Sequence, residues 1–171
     1  RDLNNVLGDI VHSPTVFEKD TDTVYAGAND GMLHAFNAST GEERFAFIPG
    51  VLIPKLKKLT EPTYSHDYFV DGEIAVSNRA DTGQNYLIST LGLGGKGLFS
   101  LDVTEPDRFS SRDVNWEYHN AADPDLGYMS GRPVIARMNN GDWAVIVGNG
   151  YNSDSGKAVL YIFDLQNGNL L

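Results

Sequence analysis

The 171-residue chain has no cysteine, which excludes disulfides, thiolate zinc sites and a cysteine nucleophile within it. No apolar run approaches the ~20 residues that a membrane helix requires, so no membrane span is expected. The cationic-then-apolar opening of an export signal is absent too, although Arg1 reads as a start in mid-domain. Positive charge is scarce: 13 Lys and Arg stand against 23 Asp and Glu, for a formal charge of −10. A field of that sign repels nucleic-acid phosphates unless a local basic patch overrides it. The one basic cluster, "KLKK" (Lys55, Lys57, Lys58), reads as a solvated helix face, so no nucleic-acid partner is expected. Hydrophobic residues at 41% and charged residues at 21% fit a folded domain rather than disorder, and the length suits one core.

What is present is a repeat. "GMLHAFNASTGEE" (31–43) is echoed by "KGLFSLDVTEPDR" (96–108) and by "AVLYIFDLQNGNL" (158–170). Each has an alternating apolar strand, then Asn37, Asp102 or Asp164, then a turn ending at Gly41, Pro106 or Gly168. The Asn and Asp positions lie 65 and 62 residues apart. The preceding strands recur as "TVYAGA", "NYLISTLG" and "WAVIVGNG", and earlier ones as "SPTVF", "GEIAVS" and "GRPVIAR". A fourth strand, "ERFAFI", is answered by "VNWEYH", and the third copy reaches Leu171 where its own fourth strand is due.

Units of four short antiparallel strands, rich in β-branched and aromatic residues and separated by Gly/Asn/Asp turns, are the sequence mark of β-propeller blades. An all-β fold follows: an incomplete propeller of about three blades, and a piece of a larger ring. Its domain is a partial propeller over 1–171, with blade 1 at about 10–49, an insertion at 50–66, blade 2 at about 67–120 and a truncated blade 3 at about 128–171. A self-contained β-sandwich, or an oligomer that closes the ring, remains the alternative. Asn37, Asp102 and Asp164 are expected to fix their turns by bonding backbone amides two residues on. Gly31, Gly41 and Gly168 suit turn positions of positive φ.

Few motifs suggest chemistry. Gly92, Gly94 and Gly97 spell G-x-G-x-x-G, but the alternating strand "LFSLDV" follows where a phosphate-binding helix would be needed. A flexible hairpin turn is expected instead. His12, His34, His66 and His119 lack the spacing of zinc ligands and are assigned to structural hydrogen bonds. "GYMSG" has the wrong spacing for a serine nucleophile elbow. "NSDSG" and "ADPDLG" offer oxygen atoms without the pattern of a calcium loop, and Asx turns account for both. No catalytic, cofactor or metal residue is assigned. Residues 51–64, with a short helical pattern bounded by Pro54 and Pro62, and the loop 121–129 depart from the repeat. They are candidate recognition segments, or covers for blade edges.

In order along the chain, "GDIVHSPTVF", "VYAGANDGMLHAFNASTGEE", "YFVDGE", "LGLGGKGLFSLDVTEP", "NWEY", "DLGYMSGRPVIARMNNGDWAVIVGNGYNS" and "LYIFDLQNG" resemble the C-terminal propeller of the PilC/PilY family of type IV pilus tip-associated proteins. The resemblance implies an exported bacterial protein, at the cell surface or on the pilus, that reaches its place through the periplasm and outer membrane. It implies a non-enzymatic role in pilus biogenesis, surface adhesion and twitching motility. The implied partners are pilus subunits (major or minor pilins) and a host or abiotic surface. The family's calcium loop, D-x-D-x-D-x-x-x-D, does not occur here and is expected outside this chain, so no cofactor is assigned within it. Two alternatives share the blade pattern. One is a quinone-cofactor (PQQ-type) dehydrogenase propeller, whose turn "FNASTGEERF" resembles but with Phe45 at the usual docking tryptophan and no cysteine pair. The other is a periplasmic outer-membrane-assembly scaffold.

Overall fold

The computed structural model describes residues 7–119 and 121–171. Among the described residues, runs of β-branched and aromatic residues form eleven strands. Sheet I is the meander β1 (Val16–Glu18), β2 (Thr23–Gly27), β3 (Leu33–Asn37) and β4 (Glu43–Phe47). Sheet II repeats it with β5 (Ile74–Val76), β6 (Tyr86–Thr90), β7 (Leu98–Asp102) and β8 (Val114–Tyr118). Sheet III holds β9 (Val134–Arg137), β10 (Trp143–Gly148) and β11 (Leu160–Asp164). All pairings are antiparallel. The first strands adjoin one another, with β5 between β1 and β9, so the sheets radiate from one edge as an open arc of blades.

Sheet II is the centre of the molecule because strict alternation sends its apolar residues both ways. Leu87, Phe99 and Leu101 pack toward sheet I with Tyr25, Leu33 and Ala35. Tyr86, Ile88 and Leu98 pack toward sheet III with Val145, Val147 and Phe163. Every residue of β6 is buried. The far faces of sheets I and III stay open. On sheet I, Phe17, Val24 and Phe36 form a cross-strand row, with Phe17 57% exposed. On sheet III, Val134, Ile146 and Ile162 form another, beside Leu160 at 65% exposed.

Sheets I and II share an irregularity. The β3–β4 register shifts between Ala35 and Phe36, and the β7–β8 register shifts between Ser100 and Leu101. Such a bulge re-aims the side chains beyond it. Phe45 consequently faces Ala35 and Trp116 faces Ser100, at matching positions. Phe45 stacks on Phe109 at 3.9 Å between centroids, and Trp116 stacks on Phe163 of the next sheet at 5.7 Å. Trp116 also donates its indole N–H to the Leu165 carbonyl at 3.0 Å. Gly168 has φ +71, and a Cβ there would press on the Trp116 ring.

Several expectations change. The insertion is a 3-10 run over Gly50–Thr60 with Pro54 inside it rather than at its edge; proline's fixed φ matches 3-10 geometry, so it need not end the run. Lys55 is half-buried rather than part of a solvated face: it donates to the Tyr68 and Gly94 carbonyls, pairs with Asp67 at 3.0 Å and lies over the Phe69 ring at 4.7 Å. The Gly92–Gly94 turn is followed by β7 and not by a helix, and it is packed rather than loose. Both glycines are buried, and a Cβ on Gly94 would overlap the Phe69 carbonyl. His119 is exposed and makes no hydrogen bond among the described residues, unlike the other three histidines.

Candidate functional site

Antiparallel order places two kinds of loop on opposite faces of the arc. The turns that follow β3, β7 and β11 carry the repeat's marked residues. Asn37 accepts from the amides of Ser39 and Thr40, both at 2.9 Å. Asp102 accepts from Thr104 N at 2.9 Å, and Asp164 from Gln166 N and Asn167 N at 2.9 and 3.0 Å. Gly41 closes its turn at φ +76, while buried Pro106 opens a short 3-10 turn whose other residues are exposed. The three turns lie in separate sheets, and the third is tied to sheet II through the Trp116 bond to the Leu165 carbonyl.

The opposite face is more varied, because both blade-to-blade connections cross it. In the first connection, Leu52 is buried in the sheet I–II core, while Leu56 covers Gly31. Lys58 reaches Asp67 at 2.8 Å; burial would raise the Asp67 pKa, but its bonds to Lys58 and Lys55 hold it below the usual carboxylate value. In the second connection, Leu126 and Met129 enter the sheet II–III core. Asp123 accepts from the hydroxyls of Tyr118 and Tyr161 at 2.7 and 2.5 Å. Burial opposes that carboxylate, yet the two phenols keep its pKa low, while burial and Asp123 push the Tyr161 hydroxyl up. Both segments singled out in the sequence thus send apolar residues into the inter-sheet cores, while others, such as Ile53 at 60% exposed, face solvent.

The same face gathers three histidines beside carboxylates. His66 Nε2 meets Asp9 at 2.8 Å, and Asn29 donates to the same oxygen at 2.9 Å. Bonds from Asn29 and His66 hold the Asp9 pKa down. His34, buried at 4% exposure, lies between Asp30 (3.1 Å) and Glu43 (2.5 Å). Burial alone would depress its pKa, but bonds to Asp30 and Glu43 outweigh that and raise it.

The third histidine builds a concavity. His12, Asp71 and Ser130 stand 59 residues apart, each just before the first strand of its sheet. Where those strands adjoin, the three residues line one pocket of about 330 Å³ with Glu73 and Tyr151. Asp71, 3% exposed, accepts the His12 backbone amide at 3.1 Å and faces its Nδ1 at 2.7 Å. His12 is visible in the sequence and the pocket is not, since nothing local links positions so far apart. Their equal spacing within the repeat was the available signal.

The family model of the PilY1 beta-propeller domain matches residues 7–171. The chain belongs to the PilY1 β-propeller family. Among its relatives is the Type IV pilus biogenesis factor PilY1 of Pseudomonas aeruginosa (strain UCBPP-PA14), 45% identical over 205 aligned residues. That alignment takes in 100% of this chain but 17% of the PilY1 chain. The crystal structure of the Pseudomonas aeruginosa PilY1 C-terminal domain superposes with a TM-score of 0.69 at 43% identity, over 86% of this chain and 28% of that one. Quinohemoprotein alcohol dehydrogenase from Comamonas testosteroni reaches a TM-score of 0.53 at 15% identity, over 96% of this chain and 20% of its own. That likeness is one of fold alone. This chain is therefore a PilY1-type propeller segment whose arc is not closed, a small part of the length of the relatives it matches.

Proposed function

We propose that this chain is propeller scaffold of an exported, non-enzymatic type IV pilus biogenesis and adhesion factor. It works by holding the loops of one face rigidly toward pilus subunits, or toward a host or abiotic surface. The observation that carries this reading is the 45% identity over the whole chain to a protein named as a type IV pilus biogenesis factor. The packing supports it: both blade-to-blade connections are anchored in apolar cores, so their exposed residues are presented without a large ordering cost on binding. The protein acts at the cell surface or on the pilus, reached through the periplasm and outer membrane.

The test is fractionation of the native source with an antibody raised against this chain. Signal in the sheared surface-fibre fraction is the expected result. Signal confined to the soluble periplasm would overturn the proposal. Because Leu52 and Leu56 belong to the core, deletion of 51–64 would confuse folding with recognition. Substitution of exposed Ile53 and Lys57 probes the face cleanly.

A further inference from the structure

The pocket where the three first strands adjoin carries hydrogen-bonding groups that the fold does not use. Among the described residues, the Glu73 carboxylate, the Ser130 hydroxyl and the Tyr151 hydroxyl have no side-chain partner. The His12 ring spends Nδ1 on buried Asp71, which leaves Nε2 as its uncommitted nitrogen. In the tautomer that directs the Nδ1 proton at Asp71, Nε2 is an acceptor. The lining therefore offers a carboxylate, an imidazole acceptor and hydroxyl oxygens around a space of about 330 Å³. It contains no Lys or Arg, and a second carboxylate, Asp71, lies beneath His12. Tyr151, held beside Tyr128 at 5.7 Å between ring centroids, adds an aromatic wall.

We propose that this pocket binds a primary ammonium group. An ammonium brings three N–H donors and no acceptor, the complement of this lining. It would pair with Glu73, donate to His12 Nε2 and a hydroxyl oxygen, and lie against the Tyr151 ring as cations do against aromatic faces. An anion would meet Glu73 and Asp71 with no compensating positive charge. The chain's formal charge of −10 favours the approach of cations in general. The group arrives either as the side chain of a lysine displayed by a partner protein or as a free small amine. The assignment stands on the pocket alone and does not depend on the pilus reading.

The experiment is amide NMR titration of the 171-residue protein with n-butylammonium chloride, with Nα-acetyl-lysine-N-methylamide and, as the uncharged control, with Nα-acetyl-norleucine-N-methylamide. Saturable shifts of the amides of His12, Glu73, Ser130 and Tyr151 by the first two probes, and none by the norleucine amide, are expected. Tighter binding of the lysine amide than of butylammonium assigns the site to a protein lysine; the reverse order assigns it to a free amine. Glu73→Gln should weaken binding at least tenfold, and Ser130→Ala, at an exposed position, should weaken it with the spectrum otherwise intact. Shifts spread over exposed carboxylates everywhere, with none saturating at the pocket, would overturn the proposal. So would equal binding of the norleucine amide.

Discussion

His34 shows how one residue sets a pH dependence. Buried between Asp30 and Glu43 and stacked near Phe36 at 5.8 Å, it is held as an imidazolium more firmly than in the unfolded chain. A raised folded-state pKa gives stability that is complete below the unfolded value, about 6.5, and is lost as pH rises through the higher folded one. Asp30 has the opposite sense: burial opposes its charge, but His34 and the Gly8 amide lower its pKa. Its contribution is present above the ordinary carboxylate value and fades as pH falls through the depressed one. The His34→Gln protein should therefore melt below the native protein in mildly acidic buffer, with the gap closing as pH rises past neutrality. Thermal unfolding at a series of pH values measures it, and parallel curves would contradict it.

At the scale of elements, the fourth-strand aromatics tie one blade to the next. Trp116 is 8% exposed, stacks on Phe163 and bonds the Leu165 carbonyl. Trp116→Ala should cost about 3–5 kcal/mol, the range for truncating a large buried aromatic, read by denaturant unfolding. Trp116→Phe should cost less, because Phe45 performs the matching task against Phe109. The repeat made the strands legible: alternation and Asn/Asp turns fall where the sheets and their connections fall. The docking role of Trp116 was hidden because it depends on the bulge at Ser100/Leu101, and a shift of one residue reverses which face a side chain takes. The anchoring of Lys55 and the burial of Gly92 and Gly94 were equally illegible. Each depends on Phe69, which the chain brings over from a separate segment. The pocket at His12 depends on three sheets at once.

At the scale of the whole molecule, each blade finds its partners only in its neighbours, as in other repeat architectures. Sheets I and III each show solvent an apolar row, and Phe17, Val134 and Leu160 are all more than half exposed. Patches of that kind drive association. The 171-residue protein by itself should self-associate with rising concentration in sedimentation velocity, and Phe17→Lys with Leu160→Lys should hold it monomeric. A native protein that stays a monomer at every concentration would contradict this. The doubly covered β6 has one more consequence. Local opening needs only the nearest contacts to let go, so the molecule breathes from its two ends inward. The flanking sheets fray and re-form while the middle blade, closed in on both sides, stays shut until the whole arc gives way.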